Sequence, residues 1–269
     1  MLQNSGRIIE TDKRFSSNIE SESFLNNLFV RLVAKKIQFT NVDFRYCIFD
    51  ACYLRNCTFD SCDFTGCKFV GSNLLGTNFS GCKFDYATFE RTQLDDDILD
   101  NSCPSSENLK LKFARSLRMN FQQQGNAQAA NKAISIELEA TEVHLKKAWA
   151  SKESYYRKKY KGFKRLKTFI EWLEFRLLDL IWGNGESTIK LIRAIIVILI
   201  GITVIDVFST GNINNISDYI NSFIKSPQIL LGVLNPTYYS SALLAFILFL
   251  RLVMFGFFMS IIIKRFNRR

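Results

Sequence analysis

From residue 37 to residue 94, large apolar residues return every five positions: Phe39, Phe44, Phe49, Leu54, Phe59, Phe64, Phe69, Leu74, Phe79, Phe84, Phe89 and Leu94. Two positions before each stands a second inward-facing residue, usually small, as in Cys47, Cys52, Cys57, Cys62, Cys67, Ser72, Thr77 and Cys82. Neither a helix nor a simple strand repeats every five residues. A fixed short period marks a solenoid, in which each unit buries its apolar face only by stacking on the next. The period stops after Asp95-Asp96-Asp97, and Pro104 with its neighbouring serines reads as a linker. Leu109, Phe113, Leu117 and Phe121 then recur at a helical interval, and Gly125-Asn126 marks a turn. A second helix follows from Ala127 to near Tyr160, giving a helical hairpin over residues 104–162. Two roles remain open for it: capping the open end of the solenoid, or oligomerisation.

The C-terminal pattern is different again. Residues 163–186 predict an amphipathic helix rich in Phe, Trp and Leu, suited to lying at a membrane surface. Residues 191–208 and 239–263 are apolar enough to span a bilayer; the first carries Arg193 near its start and Asp206 near its end, and the second carries Arg251. Between them, residues 218–236 are too apolar for an exposed loop and too short for a third span, which reads as a re-entrant segment. Arg251 falls midway along its span. It would line a pore with sister copies, or pair with Asp206 as a structural ion pair.

Pentads such as Cys57-Thr58-Phe59-Asp60-Ser61 and Cys67-Lys68-Phe69-Val70-Gly71 resemble the pentapeptide-repeat family. That resemblance implies a right-handed quadrilateral β-helix with four pentads per coil, hence three coils over residues 37–97, each rising about 4.8 Å, with residues 1–36 as an N-terminal segment and solenoid cap. The phenylalanines Phe39, Phe44, Phe49, Phe59, Phe64, Phe69, Phe79, Phe84 and Phe89 would form its axial ladder. A second resemblance lies in Trp182-Gly183-Asn184-Gly185-Glu186 and in the ending from Phe257 with Lys264-Arg265. These are similar to pentapeptide-repeat proteins carrying a C-terminal two-span, potassium-channel-like domain, here residues 187–269. Such channels carry a T-x-G-Y-G-like filter whose carbonyls replace the ion's hydration shell. This chain has Leu230-Leu231-Gly232-Val233-Leu234-Asn235-Pro236 instead, so only Gly232 is kept and potassium selectivity is not implied. Gly232 and Asn235, with Arg251 and Asp206, are the candidate intramembrane polar positions.

The net charge is +10, gathered in the middle of the chain and at its C-terminus. Arg157, Lys158, Lys159, Lys161, Lys164, Arg165 and Lys167 fall without an intervening acid, interleaved with Tyr160 and Phe163. The helix that follows favours an anionic lipid surface over a nucleotide or oligonucleotide as the partner of this block. The repeat itself holds eight acidic and five basic residues over positions 37–96, too balanced for the acidic surface of a DNA mimic. Six of the seven cysteines occupy the small inward position. Their spacing fits no zinc pattern, and the sole histidine, His144, is remote, so they read as small buried hydrophobes. Free thiols suit a reducing compartment, and Met1 to Glu20 is too polar for a signal peptide. Lysines and arginines flank the two spans on their outer sides (Lys190, Arg193, Lys264, Arg265, Arg268, Arg269), while the connection has only Lys225, which places both termini in the cytoplasm.

No nucleophile–base set, phosphate loop or metal cluster points to an enzyme, a cofactor or a metal. The expectation is a multi-pass protein of the bacterial inner membrane, assembled as a homo-oligomer (a tetramer by resemblance). It would be a pore governed by its cytoplasmic repeats or by a regulatory protein docked on them. A pore without a filter is toxic when open, so it should be closed by default and opened by a signal, as an anti-phage effector would be. The alternative is a membrane-anchored scaffold whose solenoid recruits a protein or nucleic-acid partner.

Overall fold

The computed structural model describes residues 6–211 and 213–267. Arg268, Arg269 and the side chain of Arg265, part of the C-terminal basic cluster, lie outside the described residues. The chain divides into two compact units, residues 1–168 and 169–269.

The first unit opens with a parallel β-solenoid of about four turns. Phe29, Phe49, Phe69 and Phe89 stand in register on one face. Ile19, Phe39, Phe59 and Phe79 stand on a second. Single bridges such as Asp43↔Asp63 and Tyr53↔Asn73 define the two remaining faces. Each coil after the first takes twenty residues, as four pentads require. The period is set by the backbone: every fifth residue from Ser21 to Arg91 has positive φ, turning the chain at each corner. Most of these corners are not glycine, so the stacked coils bear the cost of the left-handed conformation.

The solenoid begins at Ile8–Thr11, upstream of the expected start at residue 37, and so has one more turn than the three expected. Residues 8–36 are therefore largely solenoid rather than a separate cap. The first coil pairs with the second at an offset of nineteen residues (Glu10↔Phe29, Phe15↔Ala34) before Ile19↔Phe39 restores twenty. This one-residue slip, with Glu10 and Ala34 at inward sites, hides the first turn from a five-residue search.

The small inward position also has a chemical role. The side chain there lies against the carbonyl of the large residue one coil back. Cys47 Sγ donates to Phe24 O at 2.9 Å, Cys67 Sγ to Phe44 O at 2.8 Å, Ser72 Oγ to Phe49 O at 3.1 Å and Thr77 Oγ1 to Leu54 O at 2.6 Å. A small residue with a donor suits this site, which explains the mixture of Cys, Ser and Thr. Burial pushes the Cys47 thiol up to about 12 and that of Cys52 to about 11. Such thiols are poor nucleophiles, in keeping with a packing role.

Three elements follow: a short α1 (Ile98–Asn101), then α2 (Glu107–Gln123) and α3 (Ala127–Ala150), the expected helical hairpin, although its second helix stops at Ala150 and not near Tyr160. The Asn126 side chain caps α3 by accepting from Ala129 N. The hairpin does cap the solenoid. Phe113 of α2 continues the ring ladder, 5.6 Å from Phe84 and 5.9 Å from Phe89. Ser116, Asn120 and Gln123, spaced to share one face of α2, supply what a further coil would have supplied. Ser116 Oγ accepts from Phe89 N, Gln123 Oε1 from Arg91 N, and Asn120 both accepts from Thr92 N (2.7 Å) and donates to Thr92 O (2.8 Å). An open solenoid end exposes such groups in rows. Asn120 is fully buried. Asn120→Ala strands both Thr92 groups, so thermal or urea unfolding of the full chain should show a loss of about 2–4 kcal/mol.

A short α4 (Ser154–Lys159) leads to α5 (Phe163–Trp182). The second unit continues with α6 (Thr188–Thr210), α7 (Ile216–Leu231) and α8 (Ser241–Asn267). Among the described residues, α6 and α8 are the two helices long and apolar enough to cross a membrane. Only 28% and 17% of their most apolar windows are buried. A core helix of a soluble protein would be mostly covered. The expected re-entrant segment is largely a helix, α7, which ends in Gly232 at a left-handed φ of 74°.

Candidate functional site

The basic block does not form one surface. Arg157 donates to Ala148 O at 2.9 Å and Arg165 to Trp149 O at 2.7 Å. These are carbonyls of the last turn of α3, where the helix dipole favours cations. Two of the seven cations are thus used as C-terminal caps. Lys159 lies over the Tyr155 and Tyr160 rings, 5.4 and 5.6 Å from their centroids. Lys158, Lys161, Lys164 and Lys167 are exposed. His144 sits between the hydroxyls of Tyr156 and Tyr160, each 3.3 Å from a ring nitrogen. Burial and the nearby Lys159 hold its pKa below the usual imidazole value.

In the second unit, the Trp182–Glu186 turn and the chain end from Phe257 come together. Trp182 stacks on Phe257 at 4.3 Å, and Lys264 lies 3.4 Å from Glu186 and above the Trp182 ring. The turn after α5 is thereby fastened to the far end of α8. Gly185 has a φ of 88°, a left-handed value that favours glycine, and a Cβ there would crowd the mobile end of the Lys264 side chain. Lys190 pairs with Asp179 at 2.8 Å and ties α5 to the start of α6.

The two internal charges occupy separate places. Asp206 is buried near the C-terminal end of α6 and accepts from three hydroxyls: Ser222 Oγ at 2.7 Å, Tyr238 at 2.6 Å and Tyr239 at 3.1 Å. It joins α6 to α7 and to the segment before α8. Three donors satisfy a carboxylate that would otherwise be costly to bury.

Arg251 has a different partner. Its guanidinium donates to the carbonyl of Leu231, the last residue of α7. The last four carbonyls of a helix have no partner within it, and an apolar setting makes that expensive. Arg251 therefore acts as a side-chain cap. Gly232 permits the approach: a Cβ there would lie 2.2 Å from Arg251 Nη1. The ion pair between Arg251 and Asp206, one of the two sequence readings, is not what the folded chain contains. The chain between the spans folds back and supplies each charge with its own partners.

Arg251, Gly232 and Asn235 line one cavity of about 410 Å³, with Ile229 and Leu230 of α7 and Leu244, Ala245, Ile247 and Leu248 of α8. Three of the four candidate polar positions thus converge, and Asp206 does not join them. Asn235 lies past the end of α7, and sequence spacing alone gave no reason for it to face Arg251 across that end.

The family model for pentapeptide repeats (8 copies) matches residues 37–74 and 62–96. Among solved structures, the chain is similar to a pentapeptide repeat protein from the cyanobacterium Cyanothece 51142, at 13% identity and a TM-score of 0.31 over 32% of this chain and 60% of that one. It is also similar to a plasmid-mediated fluoroquinolone resistance protein, at 21% identity and a TM-score of 0.12 over 32% of this chain and 53% of that one. The chain thus spans 60% and 53% of the length of these two structures. No curated protein matches. The chain carries pentapeptide repeats, folded as a parallel β-solenoid.

Proposed function

We propose that this chain is a homo-oligomeric membrane pore governed by a cytoplasmic pentapeptide-repeat solenoid. One observation carries the reading: between two bilayer-length helices, a sixteen-residue helix ends against a guanidinium halfway along the second. A hairpin that merely anchors a protein needs neither a third helix nor a central arginine. The exposed apolar sides of α6 and α8 are left for lipid and for sister copies, and the basic termini of the hairpin put both chain ends in the cytoplasm. A filterless pore is toxic when open, which favours a closed resting state and a signal that opens it. An effector that depolarises a phage-infected bacterium works in this way. The opening ligand would be a nucleotide or oligonucleotide at the exposed lysines, or a protein on the solenoid.

The second reading, a membrane-anchored scaffold, draws support from a groove of about 230 Å³ on the solenoid lined by Asp43, Arg45, Asp63 and Lys83. The full chain purified in detergent should run as a closed oligomer and give discrete currents in planar bilayers. A monomer without conductance would favour the scaffold.

A further inference from the structure

The cavity at the end of α7 has more hydrogen-bond donors than acceptors. A guanidinium offers five N–H groups. Leu231 O takes one of those of Arg251, and no second acceptor for Arg251 is found among the described residues. The Asn235 side chain is exposed at the mouth of the pocket, and its amide has no hydrogen-bond partner among the described residues. The side chains that line the cavity include no carboxylate. Asp206, the acid buried in the same hairpin, is engaged by three hydroxyls elsewhere. The C-terminus of α7 contributes roughly half a negative charge, against a full positive charge on Arg251. The balance is positive, in an open pocket whose remaining lining is Gly232 with Ile, Leu and Ala side chains. Its volume of about 410 Å³ exceeds the roughly 30 Å³ share of a single water many times over.

We infer that this cavity binds a small monovalent anion, held by the Arg251 guanidinium and the Asn235 amide, and that the pore proposed above prefers anions to cations. The second half rests on the pore reading and the first does not. A lipid phosphate offers similar chemistry, but Arg251 lies about ten residues into α8, or about 15 Å from its start. That is the middle of a hydrocarbon core about 30 Å thick, beyond the reach of a headgroup, so the anion comes from water.

The test uses the full chain in a maltoside detergent free of phospholipid, melted in sodium nitrate and in sodium gluconate at equal ionic strength. With nitrate at about ten times its Kd, the wild-type melting temperature should rise by about 3–6 °C relative to gluconate. The rise should vanish in Arg251→Gln and fall by at least half in Asn235→Leu, while Arg251→Lys keeps part of it. General salt effects act on all variants alike, so the difference between variants is the readout. If Arg251→Gln does not fold, Asn235→Leu decides, because its amide holds nothing else in place. A full rise in Asn235→Leu, or none in the wild type, would overturn the anion site. Restoration of the rise only when anionic phospholipid is added to the wild type would assign the site to a headgroup and overturn the inference. In bilayers under a potassium chloride gradient, currents reversing on the cation side would remove the anion preference and leave the pore. Nitrate stabilisation with no current under any condition would keep the site and remove the pore.

Discussion

Phe64→Asp should unfold the solenoid. Phe64 is wholly buried, stacked between Phe44 at 5.2 Å and Phe84 at 5.0 Å, with ring planes 6° and 11° apart. Phe59 meets it edge-on at 5.2 Å and Phe79 at 6.0 Å. Removing the ring alone should cost about 3–5 kcal/mol. The carboxylate that replaces it would have only ring edges and faces around it, adding several kcal/mol more. Together these approach or exceed the whole stability of an ordinary domain, about 5–15 kcal/mol. Far-UV circular dichroism of the full chain should lose its β component, and limited proteolysis should cut within residues 37–96. Asp63→Ala is the matched control. Its carboxylate accepts from Thr65 N at 2.9 Å in a partly exposed turn, so its loss should cost no more than about 1 kcal/mol. A Phe64→Asp variant that melted like the wild type would mean that the stacked rings do not hold the coils together.

The same ladder explains what was legible in the sequence. A fixed five-residue apolar period marks a solenoid, and Phe39 to Leu94 carry it without interruption. The first coil was illegible because one deleted residue between Phe15 and Ile19 shifts the phase, and the partners of Phe29 and Phe15 are Glu10 and Ala34. The left-handed corners were illegible because residues such as Tyr46, Ala51 and Tyr86 occupy them instead of glycine. The cap was half legible: Phe113 belongs to a visible apolar stripe, whereas Ser116, Asn120 and Gln123 look like ordinary solvent-facing residues until the edge of the last coil is placed beside them. In the basic block, nothing in the residue pattern marks Arg157 and Arg165 as the two that donate to carbonyls at the end of α3.

The charges within the hairpin provide the sharpest test of the second unit. Arg251→Leu removes one charge-assisted hydrogen bond to the end of α7, worth about 1.5–3 kcal/mol. It also removes a residue whose placement at a helix centre in a membrane costs roughly 2.5–3.5 kcal/mol on insertion scales. The two effects offset, so the variant should express and insert like the wild type and melt within a few degrees of it in detergent. The change should appear in function. With the cap gone, the last turn of α7 is free to open and the cavity loses its cation, so conductance or toxicity should rise and any preference for anions should fall. Gly232→Ala should raise conductance or toxicity by another route, because its Cβ would displace the guanidinium from the Leu231 carbonyl; the cavity keeps its cation, so the preference for anions should persist. Asp206→Asn should neither rescue nor aggravate these variants. Its carboxylate is held by Ser222, Tyr238 and Tyr239, so the double variant should be additive within about 0.3–0.5 kcal/mol. A coupling above about 1 kcal/mol between Arg251 and Asp206 in a double-mutant cycle would restore the ion pair and overturn the capping role. Unchanged currents in both Arg251→Leu and Gly232→Ala would separate the end of α7 from conduction and leave the arginine a purely structural part of the hairpin.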